Sequence, residues 1–79
     1  MKTLFVMRLE GNEDFVRVFT SLKKALETGA EIAAEDYGVY FENENAVANA
    51  KARMKEGYTY LHPDEWDEIG MTLIAAEME

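Results

Sequence analysis

Residues 2–20 read KTLFVMRLEGNEDFVRVFT, and how this stretch pairs with itself decides the fold. Lys2 to Glu10 and Glu13 to Thr20 are rich in β-branched and aromatic residues, and the Gly11-Asn12 dipeptide between them suits a two-residue hairpin turn. A turn there pairs Glu10 with Glu13. Leu9 then faces Asp14, Met7 faces Val16, Phe5 faces Val18 and Thr3 faces Thr20, all on one apolar side that is expected to meet the core. The other side sets Leu4 against Phe19, Val6 against Arg17 and Arg8 against Phe15, a mixed surface.

Working outward, Thr20 or Ser21 can cap a helix in which Leu22, Ala25, Leu26, Gly29, Ile32, Ala33 and Tyr37 share one face, with Gly38 as its stop. The same projection sends Glu27, Glu31 and Glu35 to the opposite side as an outward stripe. Gly29 interrupts the apolar arc at a cost of about 1 kcal/mol relative to Ala, which points to a close approach of the hairpin backbone. Val39 to Glu42 reads as loop or short strand. Asn43 or Asn45 then caps a second helix with a narrow Val47, Ala50, Met54 stripe, ended by Gly57. Pro63 to Ile69 reads as a short acidic helix with Pro at its first position, closed by Gly70. Residues 71–79, MTLIAAEME, suit either helix or strand; an isolated ribbon is marginal, which favours a strand beside the hairpin. The expected fold is α+β: a hairpin, two helices, a short acidic helical turn and a C-terminal strand completing a three-stranded antiparallel sheet, in one domain spanning residues 1–79.

Composition narrows the function. With 79 residues, 48% of them hydrophobic, the chain has enough apolar content for one small core. It has no cysteine, which excludes disulfides, thiolate metal sites and thiol nucleophiles and fits a cytoplasmic protein. Leu4 to Met7 is too short for a signal segment, and no apolar run is long enough to span a membrane. The net charge of −8 disfavours direct contact with nucleic acid or anionic membrane and suits a basic protein partner. Its distribution is uneven. No Lys or Arg occurs from Ala25 to Ala50 or from Glu56 to Glu79, so the bases gather in the hairpin, the start of the first helix, and Lys51, Arg53 and Lys55.

The run VFTSLKKALETGAEIAAEDYG, entered from a hairpin, resembles the strand-to-helix junction of many small phage and bacterial proteins. In size and acidity the chain is also similar to phage-encoded inhibitors of bacterial defence, including anti-CRISPR proteins and DNA mimics. That resemblance implies a non-enzymatic inhibitor that engages a host macromolecule.

Among residues that could carry chemistry, His62 stands beside Asp64 and Glu65, as a general base with an orienting carboxylate would. With no Cys and Ser21 more useful as a cap, the expected place for His62 is instead the protein surface near the cap of the acidic turn, and no catalytic residue is assigned. His62, Asp64, Glu65, Asp67 and Glu68 are metal-donor types, but nothing in their spacing enforces convergence, and no metal or other cofactor is expected. Two surfaces remain. Glu27, Glu31 and Glu35, joined by Asp64, Glu65, Asp67 and Glu68, form an acidic face; the three glutamates advance about 6 Å each along the helix, a spacing comparable with phosphates along a nucleic-acid strand. A nucleic-acid-binding protein would recognise such a row. The second surface is the outer hairpin face, where Val6, Arg8, Phe15, Arg17 and Phe19 would bind a partner or a second copy of the chain.

Overall fold

In the computed structural model the described residues are 2–40 and 45–78. Two strands, β1 (Lys2–Leu9) and β2 (Asn12–Phe19), lead into helix α1 (Leu22–Tyr37). Helix α2 (Ala46–Glu56), a 3-10 helix η1 (Asp64–Ile69) and strand β3 (Met71–Met78) follow. The sheet is antiparallel, ordered β2-β1-β3, so the C-terminal strand lies beside β1 as the marginal stability of a lone hairpin requires. The architecture is the expected α+β one.

Local signals place the helices. Ser21 Oγ accepts the Lys24 N–H at 3.2 Å, and α1, α2 and η1 each end on a left-handed glycine, Gly38, Gly57 and Gly70. Pro63 occupies the cap of η1 rather than its first helical position. Asn45 stands at the cap of α2 with no side-chain capping bond, while Asn43 and the end of the Val39–Glu42 segment lie outside the described residues. Val39 and Tyr40 belong to no strand. On α2, Ala46 and Ala50 are buried and Val47 packs against the core as expected, with Arg53 half-buried, while Met54 is exposed rather than part of the stripe.

The hairpin register differs from the expected one. Phe5 pairs with Phe19, Val6 with Val18, Met7 with Arg17 and Arg8 with Val16; the ladder then jumps to Leu9 opposite Asn12. Glu10 and Gly11 therefore form the turn, with Gly11 at φ 83°, and Glu13, Asp14 and Phe15 bulge out of β2 with nothing opposite them. A one-residue slip exchanges the two faces of a strand. Here it sends Phe15 and Phe19 inward, where they pack on the core beside Phe5 and Met7, and turns Val16 and Val18 outward. Phenylalanine buries more apolar area than valine, which is the physical reason this register prevails.

The core lies on that inward side. Met7, Leu26, Leu61, Trp66, Met71 and Leu73 are its largest fully buried side chains, and α1 covers them with Leu22, Ala25, Leu26, Gly29 and Ala33; Tyr37 projects into solvent. Gly29 faces the Trp66 indole, not the hairpin backbone. A Cβ at position 29 would overlap the ring carbons Cζ2 and Cη2. Gly29→Ala should therefore destabilise the protein by about 1–3 kcal/mol through overpacking, despite a helix-propensity gain near 1 kcal/mol. A thermal melt reads this as a fall of about 4–8 °C for each kcal/mol lost, and Trp66→Phe in the same background should recover part of it. A rise in melting temperature would show that the indole does not fill this notch.

Candidate functional site

His62 is buried, not at the surface, because the Leu61 N–H donates to the Leu73 carbonyl at 2.8 Å and lays this segment alongside β3. The Leu73 N–H donates to Nδ1 at 3.2 Å, so Nε2 carries the proton and donates to Asp67 Oδ1 at 2.9 Å. The ring stacks on Trp66, with centroids 6.2 Å apart and planes 12° from parallel, and Tyr60 meets its edge at 5.7 Å. Arg53 of α2 completes the arrangement. Its Nη1 donates to the His62 carbonyl at 2.6 Å and its Nη2 reaches Asp64 Oδ1 at 3.4 Å. Both imidazole nitrogens are thus engaged within the chain, and what the geometry supplies is a latch joining α2, η1 and β3. An open groove of about 620 Å³ borders the latch between Arg53, Tyr58, Tyr60, Asp64 and Asp67.

The acidic residues separate into two groups. Glu27, Glu31 and Glu35 lie exposed on α1, and Asp64, Glu65, Asp67 and Glu68 lie exposed on η1. Three of them have partners: Glu27 with Lys23 at 4.0 Å, Asp64 with Arg53 and Asp67 with His62. Glu31, Glu35, Glu65 and Glu68 form no ion pair among the described residues. The two groups also differ in their relation to the helix dipole. Asp64, Glu65 and Asp67 stand in the first turn of η1, and Arg53 and Lys55 stand in the last turn of α2, both favourable placements. On α1 the order is reversed, with Lys23 and Lys24 in the first turn and Glu35 and Asp36 in the last. Among the described residues no three His, Cys, Asp or Glu side chains are grouped so as to hold a metal ion.

The hairpin-face set does not form one surface. Val6 and Arg8 point outward, whereas Phe15, Arg17 and Phe19 take the core side, with the Arg17 guanidinium 4.7 Å above the Phe15 ring. In place of the expected aromatic patch the outer side presents an aliphatic one. Val18, Val6 and Ile74 lie in one row across the three strands, Leu4 and Ala76 in the next, and Val16, Arg8 and Thr72 in the row on the other side. A bridge from Tyr60 to Ile74 adds a tyrosine to the central row. Val18 is 56% exposed, Leu4, Val6 and Ile74 are half-buried, and none of these residues packs against the core that the helices cover.

No protein-family model, curated protein or solved structure matches this chain. Its own surfaces must therefore carry the functional reading. The register was the missed signal: of the two possible hairpin faces, the bulkier one, with three phenylalanines, is the buried one.

The latch makes a specific demand on position 62. His62→Ala leaves the Leu73 N–H without its acceptor and opens space beside Trp66, so unfolding free energy should fall by about 2 kcal/mol or more. His62→Asn places an amide oxygen near the Nδ1 position and should lose clearly less. Chemical denaturation of the two variants checks this, and equal stability of Ala and Asn would contradict the latch.

Proposed function

We propose that this chain is a small non-enzymatic binding protein, an inhibitor of the phage type it resembles, which engages a basic macromolecular partner through its acidic helical surface and uses its open sheet face for protein contact. The observation that carries this reading is the uncovered aliphatic face. A solvated face of an antiparallel sheet ordinarily alternates to polar residues. Valine, leucine and isoleucine in adjacent rows, with Val16 and Val18 exposed and Leu4, Val6 and Ile74 half-buried, instead mark a contact surface.

The charge order on α1 supports the acidic half of the reading. Bases at the N-terminus and acids at the C-terminus each oppose the helix dipole by roughly 0.3–1 kcal/mol. Carboxylates chosen merely for a stable solvated helix would stand the other way round, as those on η1 do. A catalytic reading finds less support, since the one histidine already spends both ring nitrogens on internal bonds.

The test changes Glu27, Glu31 and Glu35 together to Gln, which keeps helix propensity while removing charge. Binding is compared with the wild type against a captured basic partner at salt concentrations of about 50 to 200 mM. Exposed pairs contribute a few tenths of a kcal/mol each, so affinity should fall roughly tenfold at low salt, the salt dependence should flatten, and the melting temperature should not drop. Nucleic acid should compete with the wild type for the partner. Equal affinity of variant and wild type at both salt concentrations would remove the acidic surface from the mechanism.

A further inference from the structure

We infer that the open sheet face is occupied by a second copy of this chain, the two sheets stacking face to face about a two-fold axis with both acidic helical surfaces turned outward. This names the occupant of the sheet face and rests on the reading of that face as a contact surface. The area is the first argument. Strands of eight residues run about 26 Å, and three strands about 4.8 Å apart, with Tyr60 bridging one residue at the β3 side, give each copy roughly 400 Å². Two copies bury about 800 Å², less than a stable specific interface needs and in the range of a weak, concentration-dependent dimer.

Charge is the second argument. The chain carries −8, yet the rows from Leu4 to Arg8 on this face contain no carboxylate; their one charged residue is Arg8, and Lys2 lies at the end of the same strand. A partner rich in Lys and Arg suits α1 but would meet like charge here. A second copy meets aliphatic surface. The α1 helices lie on the far side of each sheet, so stacking sets their outer faces roughly 40 Å apart, well beyond the screening length of about 10 Å at 0.1 M salt. Self-complementarity follows from the apolar centre at Val6, flanked by Val18 and Ile74, which can lie near the two-fold axis without pairing like charges.

Pairing through the free edge of β2 is disfavoured by the chain itself. The bulge at Glu13–Phe15 breaks the ladder, and the Arg17 guanidinium donates to the adjacent Val16 carbonyl of the same strand at 3.2 Å. Both devices protect an edge strand. The face is left open while the edge is guarded.

Sedimentation equilibrium of the wild type should show a monomer–dimer equilibrium with a dissociation constant on the order of 10–100 µM. Val18→Asp puts a carboxylate into the central row and should weaken the dimer at least about tenfold by burying an unpaired charge. Glu31→Gln, on α1, should leave it intact. Circular dichroism verifies that each variant is folded. Amide spectra of the wild type on dilution need no variant, and their shifts should fall on Leu4, Val6, Val18 and Ile74. A wild type that stays monomeric, or dilution shifts confined to α1 or to the β2 edge, overturns the second copy. If the monomer nonetheless binds another protein and Val18→Asp abolishes that binding, the face is still a contact surface and the second copy alone is wrong. A monomer whose interactions Val18→Asp leaves untouched removes both.

Discussion

The Trp66 indole lies where α1 has no side chain. Gly29 and Trp66 are far apart in sequence, and their contact sets the distance of η1 from the helix above it. Because η1 runs through Gly70 directly into β3, the same contact sets where the third strand enters the sheet. His62 stacks on that ring, and through its Nδ1 it ties the 58–62 segment to Leu73. Arg53 then holds α2 to the His62 carbonyl. One aromatic ring thus coordinates four elements. In a chain of 79 residues, where a single core is barely sufficient, such a shared contact matters more than any one pair would in a larger domain.

Size also explains the open face. A 16-residue helix, an 11-residue helix and a short 3-10 turn supply covering layer for one side of a three-stranded sheet. The phenylalanines claim that side. Once Phe5, Phe15 and Phe19 are directed inward, the alternation of the strand obliges Val6, Val16 and Val18 to face outward, whatever their hydrophobicity. The aliphatic surface is therefore a consequence of the register, and its apolar character must find a use or be a liability.

Much of the fold is legible in local signals. Ser21 and the glycines at 38, 57 and 70 mark helix ends through backbone chemistry that involves only near neighbours, and β3 follows from the poor stability of an unaccompanied ribbon. The hairpin register is not local in that sense. Glu10-Gly11 and Gly11-Asn12 are both acceptable turn dipeptides, and the choice between them is made by which side chains the distant helix can cover. The Gly29 notch could be seen as an anomaly in the apolar arc, but its occupant was a matter of tertiary packing. The sequence puts His62 at the surface because it adjoins the cap of the acidic turn; its burial comes from tertiary contacts with Trp66 and the Leu73 N–H, which no neighbouring residue announces. Of the acidic set, exposure was legible and pairing was not, since Arg53 and His62 reach their carboxylates across tertiary contacts.

The charge pattern gains meaning from this arrangement. Lys23 precedes Glu27 on α1, the less favourable order for an i,i+4 pair, and both side chains are well exposed, so that bridge contributes little. Given also the inverted placement about the helix dipole, α1 is held against its own electrostatics by its apolar face, in which Leu26 is fully buried and Gly29 meets Trp66. A helix stabilised by packing is free to carry charges that do not stabilise it. The outward carboxylates therefore need no structural role to persist, and since Arg8 is the one charged residue in the central rows of the open sheet face, the molecule has two chemically distinct faces, one aliphatic and the other acidic.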